Sequence, residues 1–338
     1  MSSPEARVTL SVTNDDEQDR IEQIFFHHAR SRSADLRARG ARFAHYTSAY
    51  AALQIIEKEE VWMRNAVVMN DFSEIQHGQD CVNHALQDPV IGGVAGGRLH
   101  TILEDVKAGL SATLLEDLMN IAVHQTIGSY LVSISEHGNG STEEDQYGRL
   151  SMWRAYGGNT NVAFVFRTTP FFARSTAYTA FTSPVHYCCP TSFKGEFESF
   201  VSRLERERAF LCSLGGEEVR MYVTNALHFA ILSLKHPGFR EEREWRVIHS
   251  PSLMPSPRIR YDIETINGVP QRVYKLPLMN FPEEGLIGAT LPELIEEIII
   301  GPTATPWPIY EALASKLEAK GMQDAWRRVR ISNIPLRR

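Results

Sequence analysis

The chain has 338 residues, 43% of them hydrophobic and 22% charged, so it holds enough apolar material for a globular core. Its formal net charge of -6 gives no general attraction to nucleic acid. The polar N-terminus is unlike a signal peptide and no apolar run approaches a membrane span of about 20 residues, so we expect a cytoplasmic protein with no membrane contact.

The first predicted elements form a strand–helix–strand unit. Residues 1–16 are expected to be flexible, and the remainder, 17–338, to form one α+β domain. Apolar spacing predicts a helix over 20–40, ended by a glycine. The segment "ARFAHYTS" then predicts a strand, "AYAALQIIEKEE" a helix and "VWMRNAVVMND" a second strand that runs into a polar turn.

Further along the chain, helices and strands alternate irregularly. Residues 78–128 have helical spacing, and "YLVSISE" and "NVAFVFR" predict strands on either side of a helical turn, "RLSMWRAYGGN". Residues 193–236 predict two helices, and "EEREWRVIHS" predicts a strand. The last forty residues read as strand, helix and strand. The expected fold is therefore mixed α+β with helical insertions near 78–128 and 193–236.

A polar cluster, His45-Tyr46-Thr47-Ser48, ends the first strand where the next helix begins. A histidine at a strand end can donate to a ribose hydroxyl, and an aromatic neighbour can stack on a flat ring. The alternative is structural, because Thr47 or Ser48 can accept hydrogen bonds from the free N–H groups of the helix.

Two other segments combine polar and aromatic side chains. Asn70, Asp71 and Glu74 are typical of a turn, although two carboxylates and an amide oxygen also suit Mg²⁺. Trp153 and Tyr156 lie three residues apart on one face of a helical turn, and two glycines follow them. One aromatic ring is expected in the core, and the glycines allow a ligand to approach the backbone.

The segment "FREEREWRVIH" places Glu242 and Glu244 two residues apart at the entrance to a strand, which predicts that they share a face and that Trp245 packs inward. Two such carboxylates repel each other unless a cation or a hydroxyl-bearing ligand lies between them. Arg243 and Arg246 would neutralise them in a purely structural reading. In the functional reading, a carboxylate binds a ribose 2′-hydroxyl and stabilises an oxocarbenium-like transition state.

Taken in order, the segments "FAHYTS", "MNDFSE", "SMWRAYGG", "EEREWRVI" and "IIIGP" resemble a prokaryotic family of unknown function, the "2971" family. The resemblance spans roughly residues 43–335. It implies a component of phage defence or of a stress response, such as a toxin or effector, and assigns no firm activity.

The order of these elements also resembles, more distantly, the ADP-ribosyltransferases of the His–Tyr–Glu type. That resemblance implies a split β-sheet core and NAD as substrate. His45 would bind a ribose, with Thr47 and Ser48 beside it, and Glu244 would bind the ribose 2′-hydroxyl while Glu242 prepares the attacking group. Tyr46, Trp62 or Tyr156 would stack against the nicotinamide, and Trp153 is a further residue expected to contact the cofactor.

This interpretation requires His45 and Glu244 to flank one hollow large enough for a dinucleotide. The partners would be NAD or a related nucleotide and a macromolecular acceptor, protein or nucleic acid, with no metal ion. One alternative is a metal-dependent nuclease or phosphoesterase built on Asp71, Glu74, Glu242 and Glu244, with phosphate held by Lys235 or by five arginines near the C-terminus. The other is a non-catalytic module that binds a nucleotide or a partner.

Overall fold

The computed structural model describes residues 15–68, 72–120, 128–156, 158–266 and 268–335. Most of the N-terminal segment that we expected to be flexible lies outside these ranges, as do Asn70, Asp71, Arg337 and Arg338. The described residues form a mixed α and β fold around an open sheet. The helices are α1 (Asp15–Phe25), α2 (His27–Ala38), α3 (Ala49–Lys58), α4 (Phe72–Leu86), α5 (Arg98–Val106), α6 (Leu110–Asn120), α7 (Glu143–Tyr147), α8 (Leu150–Tyr156), α9 (Pro190–Arg206), α10 (Arg208–Leu214), α11 (Gly216–Ser233), α12 (Leu291–Leu294), α13 (Pro306–Ala319) and α14 (Ala325–Arg328).

The main sheet has the strand order β12-β11-β4-β1-β3-β2-β10-β9, and β8 pairs with β3 and with β5 beside this path. Its pairings are antiparallel except for β11 with β12, and β6 and β7 form a separate parallel pair. The strands are β1 (Arg42–Ser48), β2 (Glu60–Asn65), β3 (Tyr130–His137), β4 (Thr160–Phe166), β5 (Phe181–Pro184), β6 (His186–Tyr187), β7 (Leu234–Lys235), β8 (Glu244–His249), β9 (Arg260–Ile266), β10 (Val269–Pro277), β11 (Ile295–Thr303) and β12 (Val329–Ile331).

Apolar side chains form two large cores. One lies on a face of the sheet, where Phe43, Phe164 and Ile298 pack with residues of α3 and α13. The other joins α1, α4, α5, α6, α9, α10 and α11 into a helical layer around residues such as Phe197 and Leu211. Strand alternation explains the first core, because successive side chains of a strand point to opposite faces.

Several sequence predictions differ from the structure in detail. The single helix expected over 20–40 is two helices, because Phe26 adopts φ -122° and ψ 29° and interrupts the helical geometry. The segment 193–236 holds three helices, α9, α10 and α11, and residues 260–277 form a hairpin that we did not predict. No helix in the described ranges is both long enough and apolar enough to cross a bilayer.

Candidate functional site

The sheet splits beside β3. Along residues 130–135 this strand pairs with β8. On its other edge it pairs with β1 only at Ser135–His137 and with β2 only at Tyr130–Leu131. In the described part of the chain, the three residues between these two pairings thus have a strand partner on one side only. The sheet is therefore split between β1 and β2, along the unpaired edge of β3.

His45 occupies the split. It follows Ala44, the last residue of β1 that pairs with β3. Its Nδ1 lies 2.9 Å from the carbonyl oxygen of Ser133 on the open edge. A carbonyl oxygen can only accept, so Nδ1 carries the proton and Nε2 is an acceptor. The histidine that we expected to donate to a ribose hydroxyl is therefore set up to accept from one.

The hydroxyl of Ser133 reaches the other predicted residue. Ser133 Oγ donates to Glu244 Oε1 at 2.5 Å, and the backbone N–H of Glu244 donates to the hydroxyl of Tyr187 at 2.7 Å. His45 and Glu244, which are distant in sequence, are thus joined through one residue of β3. The two residues that the sequence reading brought together therefore contact a common residue, although His45 does not line the cavity at Glu244.

Glu244 belongs to a buried cluster of three carboxylates and two cations. Lys235 Nζ lies 2.6 Å from Glu242 Oε2, 3.1 Å from Glu244 Oε2 and 3.0 Å from Glu74 Oε1. Arg246 donates to both oxygens of Glu244, at 2.9 and 3.0 Å, and to Glu74 at 2.7 Å. Glu244, Arg246 and Lys235 are 5%, 3% and 1% exposed. Burial of charges at this depth is tolerated because each is paired and hydrogen-bonded.

The pairing decides the charge states of the cluster. Burial alone would raise the pKa of Glu244, but Arg246 and Lys235 outweigh it and lower the pKa to about 2. Burial alone would lower the pKa of Lys235, yet Glu244, Glu74 and Glu242 raise it above its ordinary value. Burial alone would likewise lower the pKa of Arg246, but the charge of Glu244 outweighs burial and raises this pKa. Glu244 is therefore a carboxylate at every physiological pH and accepts hydrogen bonds.

Glu242 belongs to the cluster, but it is positioned by a different element from the strand that we predicted. It does not share a strand with Glu244, because residues 237–242 form a 3₁₀ helix and Arg243 adopts the left-handed conformation with φ 43°. Strand alternation therefore does not apply to this pair. Arg243 also pairs with Glu144 at 3.2 Å and not with the two glutamates, whose cations are Lys235 and Arg246.

Tyr156 and Arg149 also bind Glu242. The hydroxyl of Tyr156 donates to Glu242 Oε1 at 3.1 Å, and burial raises the pKa of this tyrosine above its ordinary value. Arg149 donates to the backbone carbonyl of Glu242 at 2.8 Å and to the hydroxyl of Ser135 at 2.7 Å. We did not predict roles for Arg149, Ser133 or Tyr187. Ser133 belongs to the segment "YLVSISE", whose pattern predicts a strand and no site.

Two of the predicted stacking rings belong to the core. Tyr46 and Trp153 pack edge to face with ring centroids 4.7 Å apart, and the indole of Trp153 donates to the carbonyl of Tyr147 at 2.9 Å. Trp153 is 2% exposed, and a Cβ added at Gly301 would lie 2.7 Å from its ring. Burial raises the pKa of Tyr46 to about 12. In this structure neither ring offers a face to a ligand, which corrects their predicted role.

The remaining predicted residues lie elsewhere along the same strands. Ser48 caps α3 by accepting from the N–H of Ala51 at 3.2 Å, which confirms the structural alternative for this residue. Thr47 pairs with Val162 in β4. Trp62 donates to Glu60 at 3.3 Å, and the ammonium groups of Lys58 and Lys275 lie 5.5 and 5.6 Å from the centre of its ring. These contacts hold Trp62 at the β2–β10 side of the split.

The cavity at the cluster is small. It is lined by Ala66, Glu74, Ser133, Glu244 and Arg246 among others, and its volume is about 10 Å³. That is the space of about one water molecule. The dinucleotide-sized hollow that we expected between His45 and Glu244 is therefore not open here. The conformation described is closed over the carboxylate.

Three of the four carboxylates in the metal-dependent alternative meet at an ammonium group. Asp71, which the metal-dependent alternative requires, lies outside the described residues. Glu74, Glu242 and Glu244 converge on the ammonium of Lys235, whose charge takes the place that a metal ion would fill. Within the ranges that the structure covers, no group of three His, Cys, Asp or Glu side chains is placed to hold a metal. Of the five C-terminal arginines, Arg330 pairs with Glu297 at 2.6 Å.

Comparison with known proteins supports one part of the sequence reading. No significant match was found among curated proteins or among solved structures. One family model matches a segment of the chain that begins in α8, the helix of Trp153 and Tyr156, and ends within β8, three residues after Glu244. Residues 152–247 match the family described as "Protein of unknown function (DUF2971)", the family that the motifs indicated.

Proposed function

We propose that the chain is an NAD-consuming enzyme of the ADP-ribosyltransferase type, with its site at the split between β1 and β2. The observation that carries the proposal is that His45 and Glu244 both hydrogen-bond to Ser133, His45 to its carbonyl oxygen and Glu244 to its hydroxyl. Ser133 thus joins a histidine of the first strand to a glutamate of a late strand at the point where the sheet opens. The gap in strand pairing along β3 supports the proposal, because the resemblance implies a split β-sheet.

Glu244 suits the chemistry of glycosidic cleavage. As nicotinamide leaves NAD, positive charge develops on the ribose, and a fixed carboxylate stabilises it while accepting a hydrogen bond from the 2′-hydroxyl. The pKa of Glu244, lowered to about 2, keeps the group charged through this step. Ser133 positions the carboxylate, because its hydroxyl donates to Oε1.

His45 and Tyr156 take the neighbouring roles. Burial lowers the pKa of His45, so its imidazole is neutral at pH 7 and its Nε2 accepts from a ribose hydroxyl. Among the predicted rings, Tyr156 is the one bonded to the cluster, through Glu242. We therefore assign the nicotinamide contact to Tyr156, and the preparation of the attacking group to Glu242.

Substrate binding requires a rearrangement at Lys235. A carboxylate offers about four lone-pair positions, and in Glu244 they meet Ser133, two nitrogens of Arg246 and Lys235. The contact with Lys235 is the longest of the four, at 3.1 Å, and Lys235 keeps Glu242 and Glu74 when it leaves. We infer that the 2′-hydroxyl of NAD replaces Lys235 on Glu244 when the site opens.

The test uses NAD that carries a label in its ADP-ribose part. Release of nicotinamide and transfer of the label are measured with and without cell lysate as a source of acceptor. Glu244→Gln keeps the shape and removes the charge, so activity should fall about 100-fold or more, as for loss of one transition-state contact. The matched control is Glu60→Gln, since Glu60 is an equally buried carboxylate, paired with Arg260 at 2.9 Å. Wild-type protein that releases no nicotinamide and transfers no label contradicts the proposal.

A second candidate, a non-catalytic module that binds a nucleotide, is favoured by one observation: the lone-pair positions of Glu244 are already occupied by Ser133, Arg246 and Lys235. This candidate predicts that NAD raises the melting temperature of the wild-type protein while its concentration stays constant. Consumption of NAD excludes it.

The acceptor and the biological setting rest on the family resemblance alone. On that basis we propose a toxin or effector of prokaryotic phage defence that modifies a protein or a nucleic acid. Transfer of label to a lysate component that is sensitive to protease identifies the first acceptor class, and sensitivity to nuclease identifies the second.

A further inference from the structure

A groove separate from the proposed NAD site lies at the far end of β8. It is lined by His249, Pro251, Pro255, Ile259, Tyr261 and Tyr274, and its volume is about 400 Å³. That volume is in the range of small-molecule sites, which are commonly apolar with a few placed polar groups. The groove is bounded by the end of β8, the loop that follows it and the β9–β10 hairpin.

His249 is the buried polar group of this groove, which Ser256 and the largely exposed Arg260 also line. Its side chain is fully buried, and Nδ1 lies 3.4 Å from the carbonyl oxygen of Thr179. Nδ1 therefore carries the proton and Nε2 is the acceptor. Among the residues that the structure describes, Nε2 has no hydrogen-bond partner. A buried acceptor without a partner costs free energy that a ligand with an N–H or O–H group would recover.

Two tyrosines form the aromatic wall beside it. The ring of Tyr274 lies 5.1 Å from that of His249, and the ring of Tyr261 lies 5.5 Å from that of Tyr274. Tyr261 is 55% exposed although it belongs to the hairpin that closes the groove. Arg272 lies 4.5 Å from the centre of the Tyr261 ring and holds it in place. The aromatic wall thus runs from the exposed ring of Tyr261 at the rim of the groove, past the buried ring of Tyr274, to His249.

We propose that this groove binds a small planar ring that carries an N–H or O–H donor. The ring packs against Tyr261 and Tyr274, and the donor binds His249 Nε2. Burial lowers the pKa of His249, so the imidazole is neutral and acts as an acceptor at pH 7. His249 and Glu244 are at opposite ends of β8, so binding here is independent of the proposed NAD chemistry.

Two probes of one shape test the donor: indole, and 1-methylindole, in which the N–H is blocked. Titration of the full chain followed by calorimetry or by saturation-transfer NMR should give about fivefold tighter binding of indole, the effect of one neutral hydrogen bond. His249→Phe keeps a ring at this position and should remove the preference. Equal affinity of the wild-type protein for the two probes, or no binding of either, overturns the proposal.

Tyr261→Ala provides a second variant that does not disturb the core, because the ring is largely exposed. It should weaken the binding of both probes severalfold, since an aromatic contact contributes about 0.5–1.5 kcal/mol. The control is Trp307→Ala, which removes an exposed ring from α13 and should leave both affinities unchanged. Unchanged binding in Tyr261→Ala contradicts the site, and so does loss of binding in Trp307→Ala. Glu244→Gln should bind indole like the wild type.

Discussion

Lys235 Nζ donates to Glu244 Oε2 across 3.1 Å, and both side chains are almost completely buried. The same ammonium is closer to Glu242 and to Glu74. One lysine therefore holds together three carboxylates that would otherwise repel one another, and Arg246 offsets a second of the three negative charges. This relationship fixes what substitution at Lys235 should do.

Lys235→Met keeps the length of the side chain and removes its charge. Breaking a buried ion pair on one side costs about 3–5 kcal/mol, so the free energy of unfolding at pH 7 should fall by that amount. Without the lysine, mutual repulsion should raise the pKa values of the glutamates in the folded state. The variant should then recover stability relative to wild type as the pH falls from 7 to 5, measured by urea denaturation.

The control for this substitution is Lys107→Met. Lys107 pairs with Glu217 on the surface at 2.9 Å, and such exposed pairs contribute little. Unfolding curves of Lys107→Met should match those of the wild type at both pH values. A Lys235→Met protein as stable as wild type at pH 7 would show that the cluster does not depend on its central cation.

Acid should destabilise the wild type through Glu244. Its folded-state pKa of about 2 lies below the ordinary value of 4.5, so the stabilisation is fully present above about pH 4.5 and is lost as the pH falls toward 2. The shift corresponds to a contribution on the order of 3 kcal/mol at neutral pH. Urea midpoints measured between pH 7 and 3 should fall more steeply in the wild type than in Glu244→Gln. Parallel curves for the two proteins would contradict this assignment.

Ser133→Ala tests the residue that positions Glu244. The variant loses a hydroxyl that donates to Glu244 Oε1, so on the proposed function kcat for nicotinamide release should fall about tenfold with KM nearly unchanged. The control is Ser111→Ala, which removes a buried hydroxyl that binds the carbonyl of Gly93 at 2.9 Å in the helical layer. Both variants should lose about 1 kcal/mol of stability, and only Ser133→Ala should lose activity.

Gly301→Ala tests the assignment of Trp153 to the core. The added methyl would lie 2.7 Å from the indole ring and 2.8 Å from Cβ of Asn161, so overpacking should lower the free energy of unfolding by about 1–3 kcal/mol. Gly195→Ala is the matched control, because this glycine lies inside α9 with nothing within 4 Å of the new methyl. There, alanine should stabilise the helix by up to about 1 kcal/mol. A neutral Gly301→Ala would mean that Trp153 is free to move.

Ser48→Ala separates the capping role from the ligand-binding role that we first considered. Loss of the hydrogen bond from the N–H of Ala51 should cost about 1 kcal/mol of stability, seen as a lower urea midpoint. Activity toward NAD should be unchanged when it is measured well below the unfolding transition. A variant of normal stability with a raised KM for NAD would return Ser48 to the binding site.

The parts of the site that could be predicted depend on local patterns. The strand of His45, the helix capped by Ser48 and the strand of Glu244 follow from alternation, capping and propensity. Alternation also predicts correctly that Trp245 packs inward, where it is 1% exposed. Each of these features is encoded within about ten neighbouring residues.

The rest of the site depends on tertiary contacts that have no local signal. Lys235 lies in a two-residue strand after a long helix, and nothing around it indicates that it meets three glutamates. Arg243 enters the left-handed region, which is uncommon outside glycine, and so breaks the alternation on which the Glu242 prediction relied. The exposed β9–β10 hairpin, where most of β9 faces outward, shows little of the apolar pattern that identifies strands.

The ion cluster also links the two layers of the molecule. Glu74 comes from α4 and Lys235 directly follows α11, both of which pack in the helical layer, whereas Glu244 and Arg246 belong to the sheet. Any ligand that separates Lys235 from Glu244 must therefore break an ion pair that joins the helical layer to the sheet. Amide hydrogen exchange in α4 and α11 would then accelerate with occupancy, so distant backbone positions would report on chemistry at the split.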